Sequence, residues 1–363
     1  MSRAARFAFA LLVTAGAEAA HAQLSSAQQA ANLESFDLVW QTVRDRHPDP
    51  KLNGLDWAAV RGQLRPRIAQ ASDMQAVRRI MEEMLHELGT SHYAIIPAAL
   101  YGRSDVAPAS DDEQAERRVA LNAVEPAGAS AQPEPARGEA AAVHADAALV
   151  TFGNLPAIRL TFESRRLAGG AGYIRFSEFL DPASVMPKIE AALREFRDAP
   201  GVALDLRGNP GGIGVMAMGV AGFFIDKAGQ KLGEMKMRDS TLKFVIFPRP
   251  ETYGGRLAIL LDEGSASTTE ILAGGLQDLG RARIFGTRSA GAALPSDVIR
   301  LPNGDGFQYV QASYTSEKGK ALEGAGVTPD VVVRQTREAQ IAGRDLVIEA
   351  AEAWLEEGVS TPK

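Results

Sequence analysis

Along residues 24–98, apolar side chains recur every three to four positions. Phe36, Val39, Trp40 and Val43 share one helical face, and residues 74–88 continue the period. Asp56 stands at the N-cap of a helix opened by Trp57. The pattern predicts a small helical domain ending at the stretch Gly89-Thr90-Ser91-His92-Tyr93. From about residue 148 the rhythm changes. Short apolar runs at 172–176, 202–206, 257–261 and 283–286 read as strands, and 185–196, 215–225 and 268–279 read as helices. Strands alternating with helices of this length imply βαβ units and a mostly parallel sheet. A turn at Asn303-Gly304-Asp305-Gly306, running on through Phe307 to Tyr309, reads as a hairpin, and residues 337–357 read as a terminal helix. The fold class is therefore α/β. The expected units are a helical domain at 24–98, an α/β domain at 148–335 and a C-terminal helix in 336–363.

Two stretches fall outside this alternation. Residues 99–147 are rich in Ala, Pro, Glu and Gly and hold few large apolar side chains, so they can bury little surface and read as a linker or an eroded module. Residues 1–22 read as a secretory signal peptide. Arg3 and Arg6 precede a short apolar run at 7–15, and Ala20-His21-Ala22 places small residues at the cleavage positions. That run falls short of the ~20 residues a membrane-spanning helix needs. The mature chain is expected in the periplasm or outside the cell, with no stable membrane anchor.

Composition narrows the function classes. The 363 residues are 45% apolar, enough for a sizeable core. The formal net charge is −6 with mixed signs and no basic-aromatic stripe, which gives no case for a nucleic-acid partner. There is no cysteine, hence neither a disulfide framework nor a thiol nucleophile. No H-E-x-x-H or paired His-carboxylate spacing occurs, so no metal or other cofactor is expected.

The chemistry-bearing candidates lie in Gly264-Ser265-Ala266-Ser267-Thr268-Thr269-Glu270. Ser267 heads the 268–279 helix, where unpaired N–H groups and the helix dipole favour an anion. That suits a nucleophile whose attack creates an oxyanion. The same four residues, Ser267 to Glu270, also spell an S-x-x-E capping box, which needs no chemistry, and the local sequence leaves both readings open. The segment Asp205-Leu206-Arg207-Gly208-Asn209-Pro210-Gly211-Gly212 is similarly ambiguous. It could offer backbone N–H groups to an anion or be only a tight turn.

A serine needs a base, and five histidines are available. His21 lies in the signal, His144 in the linker, His47 before Pro48 at a helix end and His86 within a helix; His92 follows the Gly89 helix stop on a loop. Other serine frameworks fail. No G-x-S-x-G elbow exists, and Ser240-Thr241-Leu242-Lys243 lacks the partners that an S-x-x-K motif requires.

Taken in order, the L-x-x-S-H end of the helical domain, GYIRF, DLRGNPGG, GSASTTE, QDLGRARIFGTRSAG and EGAGVTPDVVV resemble the C-terminal-processing, or tail-specific, serine proteases. The likeness covers residues 34–98 and 168–334 and is nearer the branch that includes the catalytic core of tricorn protease. It implies a crotonase/ClpP-like βαβ superhelix, serine-peptidase activity on unstructured polypeptides, and Ser267 as nucleophile. One branch of the family takes its base from a lysine in G-x-x-T-x-G-K; here Ala292 holds that position. The tricorn-like branch uses a Ser-His pair and a glutamate, matched by Ser91, His92 and Glu323. The resemblance thus implies His92 as base, Ser91 and Glu323 as its support, and an oxyanion hole from the N–H of Thr268 with that of Gly211 or Gly212. Asp278 matches a further motif position and reads as architectural. The PDZ module usual in the family has no counterpart motif in residues 99–147. Two other readings stand beside this one: an inactive relative that binds peptides, and an acyl-CoA enzyme of the crotonase type, which rests on architecture alone.

Overall fold

The computed structural model describes residues 24–101, 144–150 and 158–357. The expected signal peptide and most of the expected linker lie outside the described residues. Three helices open the fold: α1 (Ser26–Arg46), α2 (Trp57–Ala69) and α3 (Met74–His86). Each begins at a side chain that accepts an otherwise unpaired N–H: Ser25 from Gln28, Asp56 from Ala59 and Asp73 from Ala76. Their inner faces bury Phe36, Val39, Val43, Leu64, Val77 and Met81 in one core. The strand β1 (Ala94–Ile96) and the short helix α4 (Ala98–Tyr101) follow.

The α/β part runs β2 (His144–Val150), β3 (Ile158–Arg166), β4 (Gly172–Phe176), α5 (Pro182–Glu195), β5 (Gly201–Asp205), α6 (Val215–Ala221), β6 (Lys231–Lys236), β7 (Thr241–Val245), β8 (Arg256–Leu261), α7 (Thr268–Asp278), β9 (Arg283–Gly286), β10 (Ser296–Arg300), β11 (Gly306–Val310), β12 (Ser313–Ser316), β13 (Val331–Val332), α8 (Arg337–Ile341) and α9 (Leu346–Glu356). Seven strands form the main sheet in the order β13-β9-β8-β5-β4-β3-β2. From β13 to β4 neighbours are parallel, and β2 and β3 are added antiparallel. The apolar runs of β5 and β8 have no polar side because both faces are covered. Val202, Leu204, Leu257 and Ile259 join the core that includes α5, α6 and α7, while Ala203, Ala258 and Leu260 meet α9.

The expected strands at 172–176, 202–206, 257–261 and 283–286 form, and the structure departs from expectation elsewhere. His144 and its neighbours, expected in the linker, are strand β2 paired with β3. The hairpin at 303–309 forms, with Gly304 at φ +91° in its turn. However, β11 also pairs with β1, and Leu301, Phe307 and Tyr309 complete the core of the N-terminal helices. The helical unit therefore borrows its second layer from residues about 200 positions downstream. The terminal helix is two helices, broken at Gly343 (φ +68°), with Asp345 capping α9 by accepting from Val347 and Ile348. The 215–225 run leaves the helix after Ala221, and the next residue, Gly222, packs so closely on the Phe247 carbonyl that a Cβ would sit 2.3 Å from it. The small antiparallel sheet β12-β6-β7 was not signalled by the sequence pattern.

Because β4, β5, β8 and β9 run in one direction, the segments leaving their carboxyl ends meet along one edge of the sheet. That edge is where open α/β sheets place ligands.

Candidate active site

The loops leaving β5 and β8 are laced together. Asp262 Oδ1 accepts the N–H of Gly208 (2.8 Å) and of Gly264 (2.9 Å), and Ser265 Oγ donates to the Leu206 carbonyl (2.9 Å). Farther along, the Ala266 N–H reaches Asn209 O (3.1 Å), and Thr268 Oγ1 donates to the Gly212 carbonyl (2.8 Å). Asn209 is buried and also donates to the Phe176 carbonyl (2.9 Å), so the β4 end belongs to the same assembly.

Ser267 is held at φ 55°, ψ −119°. An ordinary N-cap residue is extended, and a non-glycine residue with positive φ is uncommon and strained. Capping alone does not call for this conformation. Its N–H is shared between the Ala292 carbonyl (2.8 Å) and Glu270 Oε2 (3.1 Å), so Glu270's half of the capping box is formed. The side chain of Ser267 remains partly accessible.

The Gly-rich turn approaches Ser267 as closely as backbone allows. Gly211 has φ +99°, and a Cβ on it would lie 2.8 Å from both Ser267 Cβ and the Thr268 nitrogen. Only glycine fits there. The Gly211 N–H, however, donates to Asn209 Oδ1 (2.9 Å), which engages one of the two glycine alternatives expected beside Thr268. The N–H groups of Gly212 and Thr268 have no hydrogen-bond partner among the described residues.

Glu270, fully buried, clamps the loop leaving β9. Its carboxylate accepts from Ser289 Oγ (2.6 Å), Gly291 N (2.8 Å) and Ala292 N (2.9 Å) as well as from Ser267 N. Burial raises its pKa, and these four donors act against that rise. Ala292 thus lies directly against the nucleophile candidate, at the position where the family resemblance would put a lysine.

His92 is also at positive φ (62°). Its Nδ1 is 2.6 Å from Ser91 Oγ, and Ser91 Oγ is 3.0 Å from Glu323 Oε2. Glu323 further accepts the N–H of Ser91 (3.0 Å) and of Ala293 (3.1 Å). A carboxylate only accepts, so the Ser91 hydroxyl donates to Glu323 and must accept from His92 Nδ1–H. That assigns the tautomer with an unprotonated Nε2, the form a general base requires. Burial pushes the His92 pKa below the ordinary imidazole value of 6.5, against the opposing pull of Glu323.

A single peptide unit joins the two halves. Its carbonyl, from Ala292, accepts the Ser267 N–H, and its N–H, from Ala293, donates to Glu323. His92 and Ser267 make no direct hydrogen bond to each other among the described residues.

The other described histidines lie apart from this network. His47 is buried, with Nδ1 accepting the Asp49 N–H (3.1 Å) and its ring stacked on Tyr93. His86 is the last residue of α3 rather than mid-helix, and His144 is exposed on β2. Lys320 Nζ is paired with the nearly buried Asp278 at 2.9 Å, and Asp278 also accepts from Ser316 and the Lys318 N–H. Asp278 therefore braces the β12 turn. No cluster of His, Asp or Glu among the described residues is arranged to hold a metal. Sequence reasoning missed Asn209 and the Ala292–Ala293 peptide, and took Glu270 for a cap alone.

Residues 170–333 match peptidase family S41, and residues 28–86 match the tricorn protease C1 domain. A carboxy-terminal-processing protease of Bartonella bacilliformis is 31% identical over 199 residues, 52% of this chain and 44% of its own. A probable CtpA-like serine protease of Staphylococcus aureus is 29% identical over 167 residues, 46% of this chain and 34% of its own. The chain spans less than half the length of these curated relatives. Among solved structures, a putative peptidase from Parabacteroides merdae superposes with a TM-score of 0.61 at 18% identity, over 89% of this chain and 96% of that one. Tricorn protease superposes with a TM-score of 0.57 at 15% identity, over 92% of this chain and 37% of that one. These structural likenesses establish the fold.

Proposed function

We propose that this chain, whose residues 170–333 match peptidase family S41, is an exported serine peptidase that cleaves polypeptides through Ser267, with His92 as general base. The observation that carries the reading is the strained Ser267, set beside two N–H groups without a partner among the described residues and one peptide unit from the Glu323–Ser91–His92 relay.

Ser267 Oγ attacks the scissile carbonyl while His92 Nε2 takes its proton. The oxyanion that forms receives the N–H groups of Thr268 and Gly212, each worth about 3 kcal/mol in such a transition state. Protonated His92 then gives its proton to the leaving amine. Water repeats the sequence on the acyl-enzyme. Glu323, acting through the Ser91 hydroxyl, favours the imidazolium and fixes the ring. The open step between His92 and Ser267 closes when substrate is bound, as catalytic hydrogen bonds in unliganded sites often do. Residues 1–22 supply the export signal in this reading. No helix among the described residues is long and apolar enough to cross a membrane.

Digestion of casein by the full chain tests the proposal, with Ser267→Ala, His92→Ala and Lys320→Ala run beside wild type. Cleavage lost in the first two variants and kept in the third is the expected result. Cleavage that survives Ser267→Ala contradicts it. The missing His92–Ser267 hydrogen bond favours one other reading, a peptide-binding protein that does not cut. Casein left intact by folded wild type would select that reading.

A further inference from the structure

Among the described residues, the carboxyl-end edge of the sheet holds one acidic side chain without a partner. Asp205 binds Tyr173 and Arg207; Asp262 binds Gly208 and Gly264; Glu263 accepts from Thr287; Glu270 and Glu323 each hold several donors. Glu178, just beyond the end of β4, has no hydrogen bond or ion pair among the described residues. It is nonetheless half-buried. Its neighbour Phe179 is bonded to the oxyanion turn on both sides, giving its N–H to the Gly211 carbonyl (2.8 Å) and taking the Ile213 N–H (2.7 Å). Glu178 is therefore fixed one residue from the backbone that flanks Gly212. Burial pushes its carboxyl up to about 7. A carboxylate kept half out of water without a donor is costly, and a cation brought by a ligand removes that cost.

Building on the peptidase reading, we infer that Glu178 is a specificity-determining residue: its carboxylate receives a lysine or arginine side chain of the polypeptide lying across the oxyanion turn. A charge-assisted contact of this kind favours the basic side chain over an uncharged one of equal length by about tenfold or more.

The test uses the full chain carrying Ser267→Ala, so that binding is read without cleavage. Fluorescent unstructured peptides are compared that differ only in lysine against norleucine at one scanned position. The expected result is a preference of about tenfold for lysine at one position, abolished by the near-isosteric Glu178→Gln and turned toward glutamate by Glu178→Lys. Equal binding of the lysine and norleucine peptides at every position overturns the inference. A lysine preference that survives Glu178→Gln, or no measurable binding of either peptide, overturns it too. The peptidase reading fails separately: a Glu178-dependent preference in a wild-type protein that cuts nothing would leave this inference standing and remove the reaction.

Discussion

Gly211 sits so close to Ser267 that a single methyl group decides the local geometry. A Cβ there would fall 2.8 Å from Ser267 Cβ and from the Thr268 nitrogen, at a φ (+99°) that disfavours any other residue. Gly211→Ala is expected to lower kcat/KM about 100-fold or more by displacing the oxyanion donors, with a Tm loss consistent with strain of roughly 1–3 kcal/mol. A variant with wild-type kcat/KM would show that the turn takes no part. In the proposed mechanism His92 sets the pH dependence. Only its neutral form can accept the Ser267 proton, and burial places its pKa below 6.5. Activity should thus be fully present near neutrality and fall as pH drops through a value below 6.5; a log kcat/KM profile with its acid limb centred above 7 contradicts this. At this scale the sequence was partly legible. A small hydroxylated residue between strand and helix marked Ser267, but its strained backbone comes from Ala292 and Glu270, through contacts that local sequence does not reveal. Gly211 and Gly212 were equivalent in the sequence, and as N–H donors to an oxyanion they are told apart by the bond from Gly211 to Asn209.

Between elements, two buried carboxylates carry the arrangement. Glu270 ties the head of α7 to the loop leaving β9, and with it the peptide unit that spans Ser267 and Glu323. Glu270→Ala would leave Ser289 Oγ and the Gly291 and Ala292 N–H groups without their acceptor, while the Ser267 N–H keeps only the Ala292 carbonyl, a cost of about 3 kcal/mol or more. Chemical denaturation should show that loss, and peptidase activity should fall with it even where the protein stays folded. Asp305, also fully buried, accepts from Arg78 Nε (2.9 Å) and Nη2 (2.8 Å) and from the Ala98 N–H (2.8 Å), joining α3 to the β10–β11 hairpin. Asp305→Ala is expected to cost about 3 kcal/mol, because an uncompensated Arg78 remains. A change under ~0.5 kcal/mol would mean the two units do not depend on this link. Helical periodicity and caps made α1 to α3 readable from the sequence. The pairing of β1 with β11 was not, since it joins segments about 200 residues apart and each strand is too short to declare its partner.

Over the whole molecule, the parallel direction of β4, β5, β8 and β9 gathers Glu178, the Gly-rich turn, Ser267 and Ala292 onto one edge, and the helical unit delivers Ser91 and His92 to it. Arg207 anchors the root of that edge by pairing with Asp205 below the turn and with Asp345 at the head of α9. The alternation of strand and helix predicted a parallel sheet correctly, yet it could not show that α9 covers the second face or that one helix becomes two at Gly343. The step on which the proposed mechanism turns is the activation of Ser267 by His92. Its most direct measurement is the rate at which a fluorophosphonate adds to Ser267, followed by peptide mass in the full chain at neutral pH. A single adduct on Ser267 is expected, formed about 100-fold or more slowly in His92→Ala, and unchanged in rate in Lys320→Ala. An adduct that forms at the same rate without His92, or on a different serine, would contradict it.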